Sequence, residues 1–286
     1  MRFERKAVLA ALRRQVEQGR AILAAAAGNG LVARVEDRGD TDLIIVYNSG
    51  RYRMDGIASI AGNLPIGDAN AIVRDMGRRQ ILHMVQDTPV VAGIYGVDPT
   101  RDMRAFLEEL KEIGYSGVIN FPTVGKLSGR IRQELEQVGM GFAKEVERLR
   151  MAAELGFFTM AYCYCPQEAR LLADAGVDII VSHVGLTAGG DVGVSQASPL
   201  EQAIEDTSAI LSAALERRPD ILPLCHGGAI VTPEDVQQVV RRTPAVGFVA
   251  ASSIERLPVE GAVGQMVHAN FGGEVEYITR LPDNAL

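Results

Sequence analysis

Two histidines carry the sharpest chemical signal in this sequence. His183 follows the apolar run Ile179–Ser182, and His226 follows Ile221–Cys225. Imidazole titrates near neutrality and can both give and take a proton, so the pair reads as catalytic acid–base machinery. If the two runs are adjacent strands they lie about 5 Å apart, and both rings could share one small substrate or ion. The bland alternative is that each ring bonds a nearby carbonyl and fills space. The other two histidines, His83 and His268, fall inside helical patterns and read as structural or surface residues.

Around this pair stand groups suited to an anion. Arg51-Tyr52-Arg53 places two guanidinium groups where they could grip a carboxylate. Asn48, Ser49, Asn120 and Thr123 stand at the ends of the second and fourth apolar runs, where they could orient substrate oxygens. Gly227-Gly228 and Ser252-Ser253 follow the seventh and eighth runs, and Gly185 follows the sixth. Their backbone N–H groups and hydroxyls are expected to hold a phosphate, phosphonate or second carboxylate. The bland reading of the glycine pair is turn chemistry before an ordinary cap, Thr232 followed by Pro233. The glycine-rich stretch 184–191 reads as a flap over the site or as plain flexibility.

Residues 48–69 have no clear period and form too long a stretch for a simple connection. Ile57, Ile60, Leu64 and Ile66 within it are costly to leave in water. They are expected to pack on the mouth of the site or on another subunit, as an ordered lid in a homo-oligomer. Metal ligands are sparse. Cys163-Tyr164-Cys165 has the wrong spacing for a zinc knuckle. Asp68, Asp98 and Glu255 are the candidates for a hard cation such as Mg²⁺, with a solvated role as the alternative for each.

The elements that must position these groups alternate from end to end. Strand-like runs fall at Ala21–Ala26, Leu43–Tyr47, Val90–Ile94, Val118–Phe121, Phe158–Tyr162, Ile179–Ser182, Ile221–Cys225 and Gly247–Ala251. Helical patterns between them cover Asn70–Gln86, Asp102–Ile113, Ile131–Leu155, Glu168–Ala175, Leu200–Arg217 and Glu234–Arg241, with weaker ones at Leu31–Glu36 and Val263–Ala269. Eight strands each followed by a helix predict an α/β protein, a (β/α)8 TIM barrel, with its site at the strand C-termini. A doubly wound open sheet gives the same local alternation. Gly114, Gly156 and Gly176 sit where left-handed helix caps are expected. An extra N-terminal helix within residues 1–19 would close the bottom of the barrel or make a subunit contact.

The 286 residues show no linker or compositional break, so one domain is expected over 1–286. A net charge of −7 argues against nucleic acid or an anionic membrane surface as partner. No run approaches the roughly 20 apolar residues of a membrane span. Three cysteines without a disulfide framework, and no signal peptide, point to the cytoplasm.

Several motifs together resemble one family. Tyr47-Asn48-Ser49-Gly50-Arg51-Tyr52-Arg53-Met54, Gly67-Asp68-Ala69-Asn70 and Asn120-Phe121-Pro122-Thr123-Val124-Gly125 are similar to the phosphoenolpyruvate hydrolase-like TIM-barrel family. So are His183-Val184-Gly185-Leu186-Thr187, Cys225-His226-Gly227-Gly228 and Ala251-Ser252-Ser253-Ile254-Glu255-Arg256-Leu257-Pro258. The same family is labelled TIM-barrel signal transduction and resembles the C-terminal domain of plant tobamovirus-resistance proteins. The resemblance implies kinship with phosphoenolpyruvate mutase, phosphonopyruvate hydrolase and isocitrate lyase, which hold Mg²⁺ with acidic residues near the ends of strands three and four. Here those ends read Gly93-Ile94-Tyr95-Gly96 and Asn120-Phe121, without a carboxylate; Asp98 is the nearest.

Together these readings predict a hydrolase or lyase that breaks a C–C or P–C bond of a small anionic oxo acid. His183 and His226 would carry the acid–base chemistry, and Arg51 and Arg53 would bind the substrate carboxylate. The alternative is a ligand-sensing or partner-binding barrel without turnover. A third reading, an isomerase or aldolase using a Schiff base, would need a lysine at a strand end; Lys126, after strand four, is the near candidate.

Overall fold

Apolar runs too short for helices and without polar alternation must be buried on both faces, which parallel strands covered by helices achieve. The computed structural model describes residues 1–271; residues 272–286, the end of the expected single domain, lie outside the described residues. Eight strands form a closed parallel barrel in sequence order. They are β1 (Ile22–Ala26), β2 (Leu43–Val46), β3 (Val90–Ile94), β4 (Gly117–Asn120), β5 (Phe158–Cys163), β6 (Ile179–His183), β7 (Leu222–His226) and β8 (Gly247–Ala250). Every strand residue except Leu23 is buried. Pairing of Ile22 with Gly247 and of Ala25 with Ala250 closes the ring between β1 and β8. This settles the barrel against the open sheet.

The helices run α1 (Arg5–Glu17), α2 (Gly30–Arg38), α3 (Asn48–Met54), α4 (Ala69–Met76), α5 (Met103–Ile113), α6 (Gly129–Gln137), α7 (Phe142–Glu154), α8 (Pro166–Asp174), α9 (Leu200–Arg217), α10 (Pro233–Arg242) and α11 (Arg256–Phe271). Helix α1 closes the bottom. It buries Val8 and Leu12, and its Arg5 donates to both carboxylate oxygens of Asp178, at 2.9 and 2.8 Å, just before β6. Gly114, Gly156 and Gly176 all take positive φ after their helices, as expected.

Three expectations need correction. The helical pattern 131–155 is two helices, because Gly139 takes φ +75° and the chain turns there. Glu136 fills the gap, accepting from the Phe142 amide at 3.0 Å. Residues 48–69 are not irregular throughout: they hold α3 and a 3₁₀ turn at Ser59–Asn63. Helix α3 was invisible to a periodicity argument because it buries polar residues, Asn48, Ser49 and Arg53. It lies so close to the end of β1 that a Cβ on Gly28 would fall 2.1 Å from the Gly50 carbonyl oxygen. Ile57, Ile60, Leu64 and Ile66 do not pack away on the mouth; each remains 36–52% exposed.

Candidate active site

The register of β6 and β7 pairs His183 directly with His226. Their rings meet edge to face with centroids 4.7 Å apart. Tyr164, just past β5, stacks on His183 at 4.7 Å. Tyr162, at the end of β5, lies 5.3 Å from the His183 ring and 5.2 Å from the His226 ring. Strands and aromatics leave the two histidines only 6% and 8% exposed.

Hydrogen bonds set the tautomers. The Gly185 N–H donates to His183 Nδ1 at 3.2 Å, so that nitrogen is bare and the neutral ring carries its proton on Nε2. His226 Nδ1 lies 2.7 Å from the Val249 carbonyl oxygen, which can only accept. His226 therefore carries its proton on Nδ1 and presents a lone pair at Nε2. Burial holds His183 well below the ordinary imidazole range, and the nearby His226 and Lys126 reinforce it. Burial brings His226 down to about 4; the Val249 carbonyl resists, and Lys126 and Arg53 add to the fall. Both rings are neutral at pH 7.

The rings border a tight cavity of about 30 Å³, lined also by Tyr47, Ser49, Arg53, Ser59, Phe121, Lys126, Tyr162, Gly185, Leu186, Thr187, Ala251 and Ser252. Arg53 is buried and held by Glu255, with Nε to Oε2 at 2.7 Å and a second bond from Nη2. Its Nη1 reaches Ser49 Oγ at 3.2 Å and Ser59 Oγ at 3.4 Å. Ser59 Oγ in turn lies 3.3 Å from Ser252 Oγ. Burial pushes the Glu255 carboxyl up, while Arg53 and the Gly28 amide pull it back. Lys126 has no hydrogen bond or ion pair to the described residues. Burial lowers its ammonium to about 8. With Arg53 neutralised by Glu255, Lys126 leaves the cavity with a net positive potential, suited to an anion.

The structure gathers His183, His226, Ser49, Arg53, Gly185 and Ser252 around this one space. It does not bring the rest. Arg51 is two residues from Arg53 on α3, about 200° around the helix, and points outward to Asp55 at 3.8 Å. Asn48 donates to the Gly62 carbonyl at 3.0 Å and holds the 3₁₀ turn. Asn120 bridges β4 to β5, donating to Tyr162 O at 3.1 Å and accepting from Tyr162 N at 2.7 Å. Thr123 donates to Glu145 Oε2 at 2.7 Å. Gly228 donates to the Gly185 carbonyl at 3.0 Å, both glycines of the pair take positive φ, and neither is among the cavity residues. Ser253 is not among the cavity residues. His83 is exposed on the outer surface, and the side chain of His268 lies outside the described residues.

Several contributors had weak sequence signals. Tyr162 could have been found from strand parity with Phe158 and Met160. Ser59 comes from the 3₁₀ turn and Leu186 and Thr187 from the loop after β6, where no hydrophobic period marks a cavity residue. Glu145, on α7, has no signal at all: it is fully buried and accepts from Asn120, Thr123 and the Val124 amide. Burial pushes its carboxyl up to about 7 against those bonds. Glu145 thereby fixes the loop that carries Lys126.

The three metal candidates do not converge. Asp68 caps α4 and pairs with Arg101. Asp98 accepts from Thr100, Asn70 and Arg101, and these bonds outweigh burial and hold it down to about 2. Glu255 is taken by Arg53 and Gly28. Among the described residues there is no group of three or more His, Cys, Asp or Glu that could hold a metal ion. The cavity offers an amine, a guanidinium, imidazoles and hydroxyls, a donor set that does not fit the hard, oxygen-seeking Mg²⁺. No helix among the described residues is long and apolar enough to cross a membrane.

Comparison with known proteins agrees with this fold. The sequence model of the phosphoenolpyruvate hydrolase-like family matches residues 7–271. The ToMV resistance protein Tm-1(GCR237) of Solanum lycopersicum is 46% identical over 261 residues, covering 91% of this chain. The chain spans about a third of that relative's length, 34%. Among solved structures, phosphonopyruvate hydrolase in complex with oxalate and Mg++ superposes with a TM-score of 0.59 at 18% identity, over 97% of this chain and 92% of the other. Oxaloacetate acetylhydrolase in complex with 3,3-difluorooxalacetate superposes with a TM-score of 0.60 at 16% identity, over 99% and 92%. At such identities the likeness is one of fold.

Proposed function

Since the chain belongs to the phosphoenolpyruvate hydrolase-like family, we propose that it is a hydrolase or lyase that cleaves a C–C or P–C bond of a small anionic oxo acid in the cavity beside His183 and His226. The observation that carries this reading is the opposite tautomers of the two imidazoles, a donor and an acceptor side by side. The His183 Nε2–H would hydrogen-bond the oxo oxygen as negative charge develops there. A neutral imidazole suffices, because a donor placed in advance in a dry site stabilises charge strongly. The His226 Nε2 lone pair would take a proton from the attacking water or from a substrate hydroxyl. Arg53 Nη1, with Ser49 and Ser59, would hold the substrate carboxylate, and Lys126 would supply the attracting potential. The fold supports the reading, since structural neighbours include a phosphonopyruvate hydrolase and an oxaloacetate acetylhydrolase.

The test is a panel of short 2-oxo and 3-oxo acids and phosphonopyruvate, followed by carbon and phosphorus NMR. Cleavage of one of them, lost in His226→Gln, is expected. No cleavage of any, by protein that is folded by its thermal midpoint, would overturn the reading. A second reading, a ligand-sensing or partner-binding barrel without turnover, is favoured by the likeness to a ToMV resistance protein. It predicts binding of an oxo acid in the cavity without chemical change. In either case a homo-oligomer is proposed, supported by the exposed Ile57, Ile60, Leu64 and Ile66; sedimentation as a monomer would contradict it.

A further inference from the structure

The cavity holds a lysine whose environment goes unused by anion binding alone. Lys126 closes the 3₁₀ turn Val124–Lys126. That turn is fixed in place: Glu145 accepts from the Val124 amide at 2.6 Å, and Thr123 Oγ1 accepts from Gly125 at 3.0 Å. Lys126, so positioned, lines the space bordered by His183, His226 and Arg53. Among the described residues no acidic side chain pairs with it, and Glu255, the partner of the cavity-lining Arg53, is also bonded to Gly28. A lysine kept for structure or for plain charge is normally given a carboxylate or left in water. Lys126 is half-buried and, among the described residues, has no carboxylate partner.

We propose that Lys126 Nζ is a catalytic nucleophile that forms a Schiff base with the oxo carbon of a 2-oxo acid. The proposal rests on the oxo-acid reading above and goes beyond it by naming the electron sink. The Nζ lone pair adds to the C2 carbonyl carbon, forming a C–N bond, while the carbonyl π pair moves to oxygen beside the His183 Nε2–H. A nitrogen proton passes to His226 Nε2 and on to that oxygen. The hydroxyl then leaves with one further proton from solvent, as water, and the C2=N iminium remains. That proton balances the one Lys126 released when its ammonium became an amine. The C3–C4 bond next breaks and its electron pair flows into the iminium, giving an enamine. The other fragment departs as carbon dioxide from a 4-carboxylate, or as an aldehyde from a 4-hydroxyl whose proton His226 Nε2 accepts. Protonation at C3 and addition of water release the shortened 2-oxo acid and restore the lysine.

The same residues explain why an amine suits this site. Cleavage beside a carbonyl needs a group that draws electrons, and the donor set here does not fit a divalent cation. A protonated imine supplies that pull from the chain itself. Burial provides the second requirement, because it lowers Lys126 to about 8 and leaves a usable share of free amine near neutral pH.

The experiment is reductive trapping on the whole chain. Protein is incubated with pyruvate and sodium cyanoborohydride, which delivers hydride to C=N and fixes the adduct as a secondary amine, and the modified peptide is located by mass spectrometry. The sequence has four lysines, Lys6, Lys111, Lys126 and Lys144, so the background is small. The expected result is a saturable adduct at Lys126, reduced by competing oxalate, with the other three unmodified. In parallel, Lys126→Arg and Lys126→Met are assayed for cleavage, with the thermal midpoint as the check on folding. Folded variants should lose about 10⁴-fold or more in turnover. Wild-type turnover with no adduct at Lys126, or full activity in a folded variant, would overturn the Schiff base and leave the oxo-acid reading standing. Absence of both turnover and adduct would remove the oxo-acid reading, and this inference with it.

Discussion

His183 presents a proton and His226 a lone pair from rings whose centroids lie 4.7 Å apart. This asymmetry comes from backbone partners, an amide of Gly185 on one side and a carbonyl of Val249 on the other. Gln at 226 loses the basic ring nitrogen that faces the cavity. His226→Gln should therefore cut turnover by about 10²- to 10⁴-fold while the thermal midpoint moves only a few degrees. Steady-state kinetics with a melting curve measures both, and turnover within a factor of two of wild type would contradict the assigned role.

The pH profile follows from the same burial. Lys126 must lose its proton to act, so turnover should rise with pH and level off above about 8. Both histidines stay neutral over that range and add no second limb. A rate that falls from about pH 6 to about pH 8 would contradict a free-amine nucleophile.

Stability carries a separate signature. His226 sits at about 4 in the fold against about 6.5 when unfolded. As pH falls through 6.5 the unfolded chain takes up a proton that the folded chain refuses, so stability drops until about pH 4 and then no further from this group. Glu145, raised to about 7, acts in the opposite direction, since its folded form keeps its proton while the unfolded carboxyl ionises above about 4.3. Comparing wild type with His226→Gln isolates the histidine part. Denaturant unfolding across this window should show a shallower acid loss in the variant, and superimposable profiles would contradict the assigned shift.

The Arg53–Glu255 pair is buried on both sides, with side-chain exposures of 1% and 0%. Breaking such a pair leaves a charge without compensation, so Glu255→Ala should cost about 3–5 kcal/mol. Removing both charges with Arg53→Met and Glu255→Leu should recover much of that loss while abolishing anion binding. Urea unfolding of the single and double variants decides it; a loss below about 1 kcal/mol for Glu255→Ala would place the pair among the weak surface contacts.

Much of the barrel was legible because its strands are buried on both faces. A run such as Val90–Ile94 is apolar throughout, and Gly114 marks the helix end before β4. Helix α3 was not legible, since its inward face is Asn48, Ser49 and Arg53, residues that a hydrophobic period ignores. In the site, His183 and His226 could be placed because they end adjacent strands. Arg51 and Arg53 could not be told apart without knowing that the chain there is helical. Asn120 and Thr123 looked free because their partner, Glu145, arrives from α7, and Arg53 looked free because Glu255 lies 202 residues away. Strand ends announce where a site lies; which polar groups are left unspent there depends on partners that only the folded chain brings together.

Anion binding should map to the cavity rather than to the glycine pair. Oxalate is expected to raise the thermal midpoint by mass action, and Lys126→Ala should reduce that response. Ser253→Ala should leave it unchanged, since Ser253 is not a cavity residue. Equal responses from all three proteins would put the anion elsewhere.

The most direct test of the account is cleavage of short oxo acids followed by NMR, with wild type, His226→Gln and Lys126→Met side by side. Wild type is expected to cleave at least one 2-oxo acid between C3 and C4, and both variants, though folded, are expected not to. Folded wild-type protein that leaves every oxo acid intact, or variants that cleave as fast as wild type, would contradict it.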